Sequence, residues 1–258
     1  MFSDMNFTAR SPEELSPTGN PFDPDECGVL IGVGSQYTVH DLGNGRVVKI
    51  PNSMDGSRGF VGGWRPDFSS HKSHIPIDIT AFFRDESVPH VLRLAARYPL
   101  LSLALGQLKA QPGNSFTQDM VTPLCKVIET SSASEVRGLL DDFADLCLLC
   151  WRYGIHERIL NFGMNNGVDA TGKLVLIDFG ETSFDLKAGT EKVGSREWET
   201  KDLWVKKFLP EKFHDYYFEV MKDRLSAQNF DIFWAADLDE LDNMVIRRTK
   251  LLKHNGCG

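Results

Sequence analysis

Hydrophobic positions along the chain change from strand-like to helix-like spacing after the first third. Residues 28–50, GVLIGVGSQYTVHDLGNGRVVKI, contain short β-branched runs separated by glycine-rich turns. Such runs bounded by glycine are typical of strands, and LGNGR at 42–46 is a hairpin signal. This segment therefore predicts three strands joined by two turns.

The clearest helix signal lies at residues 132–153. Ser132 and Glu135 fit a capping box, in which each side chain bonds a backbone N–H group of the other residue. Hydrophobic residues then recur at spacings of three and four, which places them on one helical face. They are Val136, Leu139, Leu140, Phe143, Cys147, Cys150 and Trp151. Gly154 is a stop signal, so the pattern predicts a long amphipathic helix that ends there.

Weaker signals fill the remaining chain. Residues 86–108 have helical spacing, and Pro99 is expected to end one element and begin another. FTQDMVTPL at 116–124 predicts a strand that runs into an extended connector, and KLVLIDF at 173–179 predicts a buried strand. From residue 197 onward the sequence is helical in character. Strands come first and helices later, which predicts an α+β fold with a boundary near 120–124.

This order divides the chain into three predicted regions. Residues 1–26, rich in Ser, Pro, Asp and Asn, predict a flexible N-terminal arm. Residues 27–120 predict a β-rich region with an insertion near 51–75, and residues 121–258 predict a compact helical region. The insertion is long for an unstructured connection, which favours a functional or mobile loop.

Charge and composition narrow the possible functions. The net charge of −8 argues against a general nucleic-acid-binding surface, so no nucleic-acid partner is expected. No apolar run is long enough to span a membrane. The N-terminus lacks the basic start and apolar core of a signal peptide. We therefore expect a cytoplasmic protein, and secretion as an effector by a route that cuts no signal stays open.

Five cysteines at irregular spacing argue against a disulfide framework. Cys147 and Cys150 form a C-x-x-C pair, but no second pair supplies the remaining ligands of a zinc site. Both lie in the apolar pattern of the long helix. We therefore interpret them as small core residues.

Two stretches carry candidate phosphate chemistry. In IGVGSQYTVH at 31–40, Gly32 and Gly34 let the backbone approach a polyanion without side chains in the way. Lys49 follows one hairpin later in VVKI, where a lysine is usually solvent-facing but can also contact phosphates. In LVLIDFGE, Asp178 ends an apolar strand before Phe-Gly, which suits a hard cation such as Mg²⁺.

In this order the motifs resemble the protein-kinase-like superfamily, with its glycine-rich loop, β3 lysine and D-F-G turn. The resemblance implies a two-lobed fold, with a kinase-like N-lobe at 27–120, a compact helical C-lobe at 121–258, and ATP and Mg²⁺ between them. It implies that Gly32 and Gly34 cover the nucleotide. Lys49 would hold the α- and β-phosphates, and Asp178 would bind Mg²⁺ and act in catalysis.

The resemblance also implies roles for residues between these motifs. Asp119, Met120 and Val121 would form the hinge beside the adenine. Asn161 would be the second metal ligand, and Glu86 is the best candidate for the helix glutamate that pairs with the lysine. The short helical part and the FGETS stretch resemble compact bacterial proteins of the PhoP-regulatory-network type.

The catalytic loop departs from the pattern. Tyr37 also replaces the third glycine of the glycine-rich loop. In GIHERILNFG, counting back five residues from Asn161 gives His156, and counting forward from His156 as the motif histidine gives Arg158, so neither register has an aspartate. Three interpretations stay open. His156 or Glu157 takes the substrate proton; or no base is needed and Arg158 stabilises charge on the phosphoryl group; or the site binds nucleotide without turnover or runs another reaction.

The leading hypothesis is therefore an atypical, kinase-like phosphotransferase that uses Mg-ATP on a protein or small-molecule hydroxyl. A pseudokinase that regulates a protein partner is the rival hypothesis. Nucleotidyl transfer on the same scaffold is a third.

Overall fold

The computed structural model describes residues 28–34, 36–52, 77–157, 161–180, 182–200 and 202–244. The predicted arm at 1–26, most of the insertion near 51–75 and Arg158 lie outside these residues. Within them the chain is a mixed α+β protein, with a five-stranded sheet in the N-terminal part and mostly helices after it. The α+β prediction is confirmed.

The sheet is built from three strands of the first hairpins and two later strands. These are β1 (Val29–Val33), β2 (Tyr37–Asp41), β3 (Arg46–Pro51), β4 (Lys109–Ala110) and β5 (Phe116–Asp119). They are antiparallel in the order β1-β2-β3-β5-β4. Gly43 and Gly45 in the β2–β3 turn have φ of 71° and 77°, which glycine adopts without strain. The register places Lys49 between Val39 of β2 and Phe116 of β5.

Among the described residues between β3 and β4 there are two helices. α1 (Ile77–Arg97) buries Val88, Val91, Leu94 and Ala95, and α2 (Pro99–Ala104) begins at the predicted break, Pro99. Glu86 lies in α1, but its side chain is outside the described part. Ala96, next to the buried Ala95, is exposed.

The long predicted helix is α4 (Ala133–Arg152), preceded by α3 (Leu124–Thr130). Its capping box is present, with the Glu135 N–H group donating to Ser132 Oγ at 3.4 Å and the Ser132 N–H group to Glu135 Oε2 at 2.7 Å. Phe143, Cys150 and Trp151 of its apolar face are buried. α4 is therefore the central helix of the core.

Short strands and one short helix lie before and after α4 in the chain. β6 (Thr122–Pro123) directly precedes α3. The elements after α4 are β7 (His156–Glu157), α5 (Phe162–Asn165), β8 (Asn166–Val168), β9 (Leu174–Leu176) and β10 (Thr182–Ser183). β6, β8 and β9 form one antiparallel sheet, and β7 pairs with β10. The β8–β9 and β7–β10 pairings hold the chain on both sides of Asp178.

Helices complete the C-terminal part of the described chain. They are α6 (Leu186–Gly194), α7 (Glu197–Thr200), α8 (Asp202–Phe208), α9 (His214–Arg224) and α10 (Ala227–Phe233), with a 3₁₀ turn over Glu211–Phe213. Phe162, Tyr217 and Phe230 join Phe143 and Trp151 in an aromatic core. No helix among the described residues is long and apolar enough to cross a membrane.

Candidate functional site

One cleft brings together the glycine turn, the β3 lysine and the Asp-Phe-Gly turn. It has a volume of about 80 Å³ and lies between the five-stranded sheet and the end of β9. Its lining includes Gly34, Lys49, Val88, Phe116 and Asp178. Residues far apart in the sequence therefore meet around one cavity that contains a cation and an anion.

Lys49 reaches this cleft from β3. Its ammonium group donates a hydrogen bond to the Ile177 carbonyl and lies 5.8 Å from the centre of the Phe116 ring. Burial lowers the pKa of Lys49, and the nearby Asp178 carboxylate acts in the opposite direction. A partly desolvated ammonium group gains from a further anion beside it, so this position suits a phosphate group.

Asp178 lies just past β9, where three buried residues, Leu174–Leu176, fix the strand. Its side chain is exposed, and Oδ1 accepts the Gly180 N–H at 3.3 Å. A carboxylate on a fixed strand end that faces a cavity is a suitable ligand for a hard divalent cation.

The glycine turn lies over Asp178. The Gly34 N–H donates to the Tyr37 carbonyl at 2.8 Å, which closes the turn between β1 and β2. Gly34 lines the cleft, whereas Gly32 packs over Val39 within β1 and is not among the lining residues. Gln36 is buried, and its amide oxygen lies against Gly180, where a larger residue would have to displace it.

The predicted hinge residues lie at the end of β5, outside this lining. Asp119 accepts from Arg46 Nη1 at 2.6 Å and from Gln107 Nε2 at 3.0 Å. The N–H groups of Asp119 and Met120 donate to the carbonyls of Gly106 and Gly45. Val121 packs over Gly167. These contacts anchor the connection between the sheet and the helices, and the structure does not bring these three residues into the cleft with Lys49.

His156 and Glu157 lie in a different cavity, of about 20 Å³, whose wall includes Cys150, Trp151 and Trp198. His156 is 3% exposed, and its Nδ1 accepts the Trp151 indole N–H at 3.2 Å. Nδ1 is therefore the unprotonated nitrogen of a neutral ring. Glu157 is also buried. The sequence placed these residues in the catalytic loop, but the structure does not bring them together with Lys49 and Asp178.

Asn161 directly precedes the short helix α5, and Asn165 is the last residue of that helix. Among the described residues, none donates a hydrogen bond to the buried Oδ1 of Asn161. The Asn165 carbonyl accepts the N–H groups of Ile177 at 2.7 Å and of Asp178 at 3.1 Å. The motif pattern in the sequence indicated Asn161 and not Asn165. Counting outward from the DATG turn would have found it, because the β8–β9 pairing that places Asn166 opposite Leu176 puts Asn165 beside Ile177.

The C-x-x-C pair lies in the wall of the buried cavity. Burial raises the pKa of the Cys150 thiol to about 12, and the pKa of the Cys147 thiol is also raised. A thiol held neutral in this way is a poor nucleophile and metal ligand. Among the described residues, no group of three or more His, Cys, Asp or Glu side chains could hold a metal ion.

No known protein family and no curated protein matches this chain. Among solved structures, the chain is similar to a complex of Rv3197 with erythromycin from Mycobacterium tuberculosis, at 16% identity and a TM-score of 0.39. The match covers 76% of this chain and 53% of that chain, so this chain spans about half the length of that protein. At this level the similarity assigns neither a kinase-like fold nor a function.

Proposed function

We propose that this chain is a kinase-like phosphotransferase that uses Mg-ATP on a hydroxyl group of a protein or a small molecule. The observation that carries the proposal is the cleft in which Lys49 and Asp178 meet beneath the Gly34 turn. A lysine for the phosphates and a carboxylate for the metal are the main protein charges that phosphoryl transfer requires, because positioning and electrostatics supply most of the catalysis.

The order of the elements supports a kinase-like, two-lobed arrangement. In that pattern the lysine stands on the third strand, a helix follows, and the D-F-G aspartate comes later. Here Lys49 is in β3, α1 follows, and Asp178 comes directly after β9. The β-rich part would form the N-lobe and the helical part the C-lobe, with the connection at Asp119–Val121 as the hinge.

The residues present fit a nucleotide-bound magnesium ion. Mg²⁺ is usually held by one or two carboxylates together with substrate phosphates, so a cluster of several acidic residues is not required. Asp178 supplies a carboxylate at the cleft. Asn161 is not among the residues that line it, and its buried amide oxygen has no hydrogen-bond partner among the described residues. When bound, the ion would neutralise charge on the phosphates.

Gln36 limits access to this site in the structure. Its side chain lies against Gly180, and the cleft of about 80 Å³ is smaller than the pockets that usually hold ligands of nucleotide size. Binding of a triphosphate therefore requires the glycine turn to lift Gln36 away from Gly180. Glycine at position 34 makes such a movement easy for the backbone.

A regulatory module that binds nucleotide without turnover is the second candidate. Among the described residues that line the cleft, Asp178 is the only carboxylate, and neither His156 nor Glu157 reaches it. A general base must lie within hydrogen-bond reach of the proton that it removes. This placement favours either phosphoryl transfer without a protein base or binding alone.

Thermal stability with and without Mg-ATP tests nucleotide binding. A ligand that binds the folded state raises the melting temperature, so the wild-type protein should shift and Lys49→Ala and Asp178→Ala should not. Lys173→Ala, at an exposed lysine in the β8–β9 turn, is the matched control and should shift like wild type. Absence of a wild-type shift, or an equal shift in the two cleft variants, would overturn the site.

Labelled ATP then separates the reactions. Transfer of the γ-phosphate label to an acceptor identifies a kinase, and transfer of the α-phosphate label identifies a nucleotidyl transferase. Binding with neither transfer, across protein and small-molecule acceptors, identifies a regulatory module.

A further inference from the structure

Glu157 is a buried carboxylate whose hydrogen bonds go to the loop beside Asp178. Its Oε1 atom accepts the Asn161 backbone N–H at 3.2 Å and the Asn165 side-chain amide at 2.5 Å. A buried charge is costly unless donors compensate it, so these bonds tie both ends of the 161–165 segment to one oxygen atom.

Asn165 connects Glu157 to the backbone of the turn that carries Asp178. While its side chain donates to Glu157, its carbonyl accepts the N–H groups of Ile177 and Asp178. The connected hydrogen bonds run from the Glu157 carboxylate through Asn165 to the backbone of Asp178. Moving the Asn165 side chain would therefore shift the backbone that aims the Asp178 carboxylate.

The strand that carries Glu157 also holds the far side of the same turn. Glu157 pairs with Thr182 in the β7–β10 ladder, and Thr182 follows the Asp178–Gly180 turn closely. The Thr182 carbonyl in turn accepts Ser87 Oγ of α1 at 3.0 Å. Glu157 thus constrains the turn before Asp178 through Asn165 and after Gly180 through Thr182.

We propose that Glu157 is a positioning residue that sets the geometry of Asp178 through Asn165, and that it is not the general base. This inference rests on the proposed function for its role in Mg-ATP binding. The carboxylate contributes an acceptor oxygen at a fixed place. Groups that orient a metal ligand in this way typically affect metal affinity by about 10- to 100-fold when they are removed.

Two substitutions separate positioning from base catalysis. The bonds from Asn161 and Asn165 end on the same atom, Oε1, so Glu157→Gln keeps that acceptor and loses the basic carboxylate, whereas Glu157→Leu loses both. The Mg²⁺ concentration that gives half of the ATP-induced melting shift should rise about 10-fold or more in Glu157→Leu. In Glu157→Gln it should stay within about threefold of wild type, a range too small to reflect loss of a positioned ligand.

Further variants test whether the effect is specific to the connection from Glu157 to Asp178 and provide an alternative if one variant does not fold. Glu197→Leu removes a carboxylate from the other wall of the same cavity, where it pairs with Lys192, and should leave the Mg²⁺ dependence unchanged. Asn165→Ala removes only the middle of the connection and should reproduce the Glu157→Leu effect. If Glu157→Leu does not fold, Asn165→Ala with Glu157→Gln decides the question.

Hydrogen exchange of the nucleotide-free protein gives a measurement that does not depend on ATP. The amides of Ile177 and Asp178 should exchange faster in Glu157→Leu and Asn165→Ala, and at the wild-type rate in Glu157→Gln. Unchanged exchange in both disruptive variants overturns the positioning role. Loss of transfer in Glu157→Gln with intact Mg-ATP binding overturns the claim that Glu157 is not the base. A wild-type protein that binds no Mg-ATP defeats the proposed function, while exchange still decides the positioning role.

Discussion

The cleft around Lys49 and Asp178 and the buried cluster around Trp151, His156 and Glu157 make opposite use of charged and polar groups. In the cleft an ammonium group and a carboxylate face a common cavity, and the carboxylate is exposed. In the buried cluster the indole donates to the imidazole, and the Glu157 carboxylate accepts from Asn161 and Asn165.

The contrast shows that position near a sequence motif does not fix the role of a polar side chain. His156 and Glu157 are adjacent to the loop expected to hold a catalytic base, yet their hydrogen bonds organise the protein interior. Groups bonded within the protein interior mainly stabilise structure, whereas charges that border a cavity can act on a ligand. Variants in the cleft should therefore change ligand binding directly. Variants in the buried cluster should change stability, and at Glu157 they should also change the Mg²⁺ dependence, through its bond to Asn165.

Trp151→Ala should give the largest loss of stability. Trp151 is 3% exposed, packs edge-on against Phe230 and donates to His156, so its truncation should cost about 3–5 kcal/mol. Urea denaturation measures this cost. Trp204→Ala, at a half-buried tryptophan stacked on Phe208, should cost clearly less. Equal losses of stability for the two variants would contradict the expectation that the buried cluster contributes more to stability than a half-buried aromatic pair.

His90 lies in α1, the helix that also contributes Val88 to the cleft, and provides a pH-dependent test. Burial, and then the neighbouring Arg93, lower its pKa from 6.5 to about 4, while Asp242 opposes the shift. Between these values the unfolded chain binds a proton that the folded protein does not. Stability is therefore complete above pH 6.5 and falls as the pH drops, by about 2 kcal/mol between pH 7 and pH 5.

Urea unfolding at several pH values measures that slope, and His90→Leu should remove this part of it. The same slope in the variant would show that other groups cause the pH dependence. Since α1 also contributes Val88 to the cleft, acidification should weaken Mg-ATP binding less in His90→Leu than in wild type if the two properties are coupled.

Ser132→Ala tests whether the stability of the buried cluster depends on α4 as a helix. The substitution removes the side-chain acceptor of the capping box at the opposite end of the helix from Trp151, and should cost about 1 kcal/mol. Ser134→Ala, two residues further on and also exposed, is the control and should cost less. Binding of Mg-ATP should not change in either variant.

Lys49→Met should have the smallest effect on stability, but it should abolish Mg-ATP binding. Methionine keeps the length of the side chain and avoids the cost of desolvating an ammonium group. The free energy of unfolding should therefore change by less than about 1 kcal/mol, while the Mg-ATP-induced melting shift disappears. A large loss of stability would place Lys49 with the structural residues of the buried cluster.

The sequence alone determined the features that depend on neighbouring residues. The glycines at 43 and 45 and the β-branched runs around them specify the hairpin of β2 and β3, and Ser132 with Glu135 specifies the start of α4. These interactions span a few residues and need no partner elsewhere, so the pattern is sufficient. The order of strands before helices likewise predicted the α+β class.

Only the tertiary structure decided which polar residues share a cavity. Lys49 meets Asp178, Arg46 pairs with Asp119, and Tyr98 of the α1–α2 junction donates to Asp242, all across long stretches of chain. Whether Glu157 faces a cleft or the interior depends on how β7, α5 and α10 pack together. Such contacts arise from the combined burial of many side chains, and no local spacing encodes them.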